Sequence, residues 1–141
     1  MPELCPFDYA VIRVVPRVER EEFINVGVIL SCQAKDFLKA AIELDEARLA
    51  AFDPALDLAT VRKHLEAIDL ICRGGAEAGP IGLLPKRSRF HWLVAPRSTI
   101  IQTAPVHTGL CCDGDATLEH LLDTMVRPRR LNGEQARSAS D

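Results

Sequence analysis

Residues Tyr9–Val15 (YAVIRVV) set apolar, mostly β-branched side chains at positions facing both ways, which predicts an interior strand closed by Pro16. The charged run RVEREE then forms a turn, and Phe23–Cys32 (FINVGVILSC) predicts a second strand, antiparallel to the first. Asn25 and Gly27, two apart at its start, predict a β-bulge or a point where the backbone is closely approached. In Phe37–Leu44 helix propensity competes with alternation: Leu38, Ala40, Ile42 and Leu44 interleave with Lys39, Ala41 and Glu43. The alternation is taken to win, giving a third strand and then a short helix over Asp45–Phe52.

After Asp53-Pro54 the period changes. Leu58, Val61, Leu65, Ile68 and Cys72 recur at three and four, the stripe of an amphipathic helix with Asp57 as cap and Gly74-Gly75 as stop. The glycine- and proline-rich stretch Arg73–Arg89 reads as a long loop. Phe90–Ala95 and Thr99–Ala104 are expected as the fourth and fifth strands, joined at Pro96-Arg97-Ser98. Leu118, Leu121, Leu122, Met125 and Val126 form the apolar face of a second main helix, capped by Asp115 and ended by Pro128. The order β-β-β-α-β-β-α predicts an α+β domain, a mostly antiparallel sheet of about five strands with two main helices packed on one face. A single domain is expected over residues 1–127, with 128–141 a disordered tail that has little to bury.

Composition narrows the classes of function. The chain has 141 residues, 48% hydrophobic and 26% charged, as a soluble domain with its own core would. A net charge of −3 disfavours nucleic acid and anionic membrane as partners, although basic residues cluster at 86–97 and 127–137. A leader sequence and a membrane span are not expected, and a cytoplasmic location is. The five cysteines are an odd number without CxxC spacing, as expected of reduced thiols.

The chemistry concentrates in Phe90–Cys112, which holds the single tryptophan and two of the four histidines. Arg97 offers a five-donor fork suited to carboxylate or phosphate, with Ser98 and Thr99 as supporting hydroxyls. The plainer reading pairs Arg97 with an acid such as Glu22 or Asp8. His107, followed by Thr108, could act as a general base or acid, but the paired His-x-Thr pattern of phosphoesterases is not matched. His107, Cys111 and Cys112 do not fit the spacing of a zinc site, so neither metal nor cofactor is expected. Phe90 and Trp92 beside Lys86, Arg87 and Arg89 could stack bases, but core positions on a strand are the simpler reading.

Two segments, Tyr9–Leu30 (YAVIRVVPRVEREEFINVGVIL) and Phe90–Leu110 (FHWLVAPRSTIIQTAPVHTGL), resemble the bacterial domain of unknown function 3037 family, over Tyr9 to about Val126. The resemblance brings no catalytic residues. It implies small stand-alone proteins, often encoded beside a protein resembling HipA-type kinases, and hence an accessory role with a protein partner. It also directs attention to Asn25, Gly27, Arg97, Ser98, Thr99, Gln102, His107 and Thr108, which lie in the two segments.

The leading expectation is therefore a non-catalytic interaction module. The alternative is an enzyme or binder of an anionic ligand through Arg97 and His107, which requires the two to converge in one pocket.

Overall fold

The sheet is assembled around its longest strand, β1 (Cys5–Val14). In the computed structural model, which describes residues 3–128, β2 (Ile24–Cys32) lies antiparallel against it, and β3 (Phe37–Ile42) pairs the far side of β2. The other side of β1 takes two short antiparallel partners in succession. β4 (Ile101–Thr103) pairs Ile12–Val14, and β5 (His107–Cys111) pairs Cys5–Tyr9. The result is an α+β fold on a five-stranded antiparallel sheet.

The bulge is where the Asn25 and Gly27 spacing places it. Ile12 stands opposite Gly27 and Arg13 opposite Asn25, so Val26 is the extra residue. A Cβ on Gly27 would lie 2.7 Å from the Ala41 carbonyl oxygen and 3.2 Å from Ile12 Cδ1. Close approach of backbone, rather than turn geometry, requires glycine here.

Helix α1 (Glu46–Phe52) starts where Asp45 accepts the Arg48 N–H, and α2 (Leu58–Arg73) where Asp57 accepts those of Ala59 and Thr60. Gly74 ends α2 at φ +79°. Helix α5 is capped by Asp113 rather than the expected Asp115. It runs over Gly114–Leu121 and continues as a π-helical turn through Val126.

The two main helices do not share a face. Ile12, Val14, Val26 and Ile29 pack with Leu49, Val61, Leu65, Phe90 and Leu93. On the other side, Phe7, Val28, Leu30 and Cys32 pack with Leu118, Leu121, Leu122 and Val126. Because β2 is apolar at consecutive positions, both of its faces must be covered, by α2 on one side and α5 on the other.

Two further expectations are corrected. The long loop over 73–89 is largely helical, with a 3₁₀ turn at Ala76–Ala78, α3 (Gly79–Gly82) and then α4 (Lys86–Leu93). Helix α4 also replaces the strand expected at Phe90–Ala95. Phe90 and Leu93 are 2% and 3% exposed while Trp92 is 41% exposed, so burial follows a three-residue period and not alternation. The fifth strand is instead β5, whose His-Thr-Gly start gave no apolar signal. It is built by pairing with β1, and Gly109 leaves room for the Phe7 ring, which a Cβ there would meet at 2.7 Å.

All five cysteines are free thiols, and Cys112 alone among them is exposed. Burial, reinforced by the charge of Asp69, pushes the Cys72 thiol up to about 12. The disordered tail expected over 128–141 falls, apart from Pro128, outside the described residues.

Candidate functional site

The Arg97 fork is filled from within. Its NH1 donates to the carbonyls of Leu93 (3.1 Å) and Ala95 (3.3 Å), and its NH2 to that of Trp92 (2.6 Å). The Trp92 and Leu93 carbonyls are the last two of α4 and Ala95 lies just past its end, and the guanidinium also stacks on the Trp92 ring at 4.3 Å. Arg97 thus closes the C-terminal end of α4, where a cation and donors are favoured. Neither Glu22 nor Asp8 is its partner. Ser98 is exposed; the Thr99 hydroxyl donates to the Ile101 carbonyl (2.7 Å), and the Gln102 amide to the Thr99 carbonyl (2.9 Å). Arg97, Thr99 and Gln102, the last from the edge strand β4, border a cavity of about 130 Å³ with His64, Ile71 and Trp92, beside α2.

His107 lies on the other face. It stands opposite Tyr9, its ring 5.5 Å from the Tyr9 ring, and Tyr9 packs on the core beneath α5. The sheet therefore separates Arg97 from His107, and these two residues form no common pocket.

Three other candidates do come together. Asn25 and Gln102 stand in register on either side of Arg13, on β2 and β4, and directly opposed residues in antiparallel strands share a face. Tyr9 and Arg13 are four apart on β1, so the His107–Tyr9 pair lies further along the same face. Helix α5 and its π turn pack chiefly over β2 and β3. On the same face of β1, Cys5, Phe7 and Val11 are buried, and coverage falls off toward β4 and β5. Tyr9, Arg13 and Gln102 are half-buried and His107 is exposed. Phe23 (44% exposed) and Met125 (40%) border it. The Asn25 side chain donates to the Met125 carbonyl (3.0 Å), tying β2 to the π turn. The Arg13 guanidinium stacks on Phe23 at 4.3 Å, and its Nε is buried without a hydrogen-bond partner. Sequence reading passed over Arg13. The available signal was a single charge at the fifth position of an otherwise apolar strand segment.

Thr108, the neighbour of His107, points to the α4 side, where its hydroxyl donates to Asp8 Oδ1 (2.8 Å). Asp8 Oδ2 accepts from Arg87 NH2 (2.6 Å), whose NH1 reaches the Ser31 hydroxyl (3.2 Å). This network pins the start of α4 to the centre of the sheet, beside a hollow of about 360 Å³ lined by Pro6, Asp8, Ser31, Gln33 and Arg87. Burial alone would raise the Asp8 carboxyl. The hydrogen bonds from Thr108 and Arg87, with the charges of Arg87 and His91, outweigh that and hold it below its usual value.

A depressed folded-state pKa stabilises the fold above the unfolded value and stops doing so as pH falls through the folded one. Asp8→Asn is expected to cost about 1 kcal/mol at pH 7, a figure reduced because the pair is partly exposed to solvent. The gap to wild type should start to narrow as pH falls past the ordinary Asp value of 3.8 and keep narrowing toward the lowered folded-state value. Urea midpoints followed from pH 7 down to about pH 2 check this, and a gap that does not narrow below the ordinary Asp value rules out the ion pair as its source.

Among the described residues no group of three or more His, Cys, Asp or Glu side chains is placed to hold a metal ion. No helix there is long and apolar enough to cross a membrane.

The chain is thus an α+β protein on a five-stranded antiparallel sheet, one face of which is less covered along β4 and β5. A family model described as a protein of unknown function (DUF3037) matches residues 9–126, and the chain belongs to that family. No curated protein and no solved structure matches it.

Proposed function

We propose that the chain is a non-catalytic interaction module that works by engaging a protein partner, with the less covered part of the sheet as the contact surface. The observation that carries this is the shared face of Asn25, Gln102 and His107 with Arg13 and Tyr9, bordered by exposed Phe23 and Met125. Arginine and aromatic side chains on an accessible, mixed surface are the groups that dominate protein–protein contacts. The family resemblance supports a partner related to HipA-type kinases. A small-anion or catalytic role shared by Arg97 and His107 has no support in this arrangement, since the Arg97 donors are occupied and the sheet separates the pair.

The test is affinity capture from the source cell with three baits: wild type, Phe23→Ser and Arg97→Ala. A protein captured by wild type and Arg97→Ala, lost with Phe23→Ser, and binding the purified chain one-to-one in sedimentation would support the reading. Equal recovery with Phe23→Ser moves the contact away from this face. A bait that returns no stoichiometric protein counts against an interaction module.

A further inference from the structure

We infer that Arg13 is a carboxylate-binding anchor, the point at which the less covered face of the sheet takes an acidic side chain of the partner. This rests on the interaction reading above and adds the chemistry of the contact. Arg13 lies on the central strand near its C-terminal end, between Asn25 on β2 and Gln102 on β4. A charge there is costly to desolvate and is normally matched by an acid or by carbonyls, as Arg87 and Arg89 are. Arg13 has neither kind of partner among the described residues. Its Nε is buried and unpaired there, and its guanidinium stacks on the Phe23 ring, 4.3 Å away.

Stacking uses the flat face of a guanidinium and leaves the in-plane donors at its rim unengaged. With Nε buried, the two terminal nitrogens remain to meet a ligand end-on. Two parallel N–H donors match the two oxygens of a carboxylate. Phosphate suits the site less well. It carries more charge than one guanidinium balances, and the neighbouring Asn25 and Gln102 amides direct N–H donors to the Met125 and Thr99 carbonyls, not toward a second anionic oxygen. The exposed Phe23 and Met125 side chains beside Arg13 suit an acidic residue presented by a protein more than a free metabolite.

The experiment follows arginine Nε–H resonances of the full chain by NMR, with the Arg13 signal assigned by its disappearance in Arg13→Lys. Sodium acetate, acetyl-Gly-Glu-Gly-amide and sodium phosphate are added at matched ionic strength. The expected result is a saturable shift at Arg13 with acetate and with the peptide, while exposed Arg48 stays within the salt control and phosphate shifts Arg13 less. A response at Arg13 no larger than at Arg48 overturns the proposal, and tighter binding of phosphate overturns the choice of carboxylate.

The partner assay separates the two levels of inference. Capture reduced roughly tenfold or more by Arg13→Gln supports the anchor. Capture lost with Phe23→Ser but undiminished with Arg13→Gln leaves the interaction module standing and removes the anchor. Carboxylate binding by NMR with no protein captured removes the interaction module and turns Arg13 into a site for small carboxylates.

Discussion

Arg89→Ala is expected to lower the unfolding free energy by about 3–5 kcal/mol, from three carbonyls left without a donor at about 1 kcal/mol or more each and from the lost packing of the side chain. Arg89 is 6% exposed, and its guanidinium donates to the carbonyls of Ile71 (2.7 Å), Cys72 (2.9 Å) and Leu84 (2.9 Å). The first two belong to the last turn of α2, so one side chain satisfies acceptors that a helix end leaves open and places a cation where the helix dipole favours one. Gly74 makes room for it, since a Cβ there would lie 2.6 Å from Arg89 NH1. Alanine removes the donors and leaves a void at a point where α2, α3 and α4 meet. Arg89→Lys keeps the charge but not the fork, and should recover less than half of the loss. Urea unfolding of the three proteins measures this. A loss below about 1 kcal/mol for Arg89→Ala would show that water replaces the guanidinium at no great cost.

The second large effect is at the next residue. Phe90→Ala should cost about 3–5 kcal/mol, as for other fully buried aromatic residues. Phe90 packs against the main core with Leu93, and both lie within the cluster formed by α2 and the sheet. Trp92→Ala, at a position 41% exposed, should cost about 1 kcal/mol, mainly its contact with Arg97. The contrast between the two substitutions tests the secondary structure as well as the packing. In a strand, positions 90 and 92 would share a face and lose comparable stability. Similar losses at both would rule out the helix.

These two residues also mark where reading along the chain stops being sufficient. Phe, Trp and Val favour strands, and Lys86-Arg87 at the start of α4 opposes the helix dipole, so the local signals disfavour the helix that forms. Contacts distant in sequence decide it. Asp8 and Ser31 hold Arg87 at the first turn, Phe90 and Leu93 fill the core, and Arg97 folds back on the last carbonyls. Tertiary burial overrides propensity in a segment this short.

The candidate site divides in the same way. Asn25, Gln102 and His107 were accessible as polar residues in unusual settings, yet their common face depends on register. That register places Gln102 and Asn25 beside Arg13, and His107 beside Tyr9. Arg97 seemed the best anion ligand because an arginine shows its charge in a sequence and not its partners. The carbonyls that occupy it belong to a helix, α4, that forms where the sequence pattern predicts a strand.

From the sequence alone came the features that short-range physics controls. They are the first three strands with their alternating or doubly apolar patterns, the bulge at Asn25–Gly27, the short helix α1, the Asp57 cap and amphipathic stripe of α2, and the α+β class. The tertiary structure alone decided which face each helix covers, that β5 exists, that α4 is a helix, and which arginines are already occupied. The physical reason is range. Periodicity and capping act within about a turn of helix or a pair of strand residues. Strand partners and buried guanidinium contacts join residues far apart along the chain, as the paired Cys5 and Cys111 are.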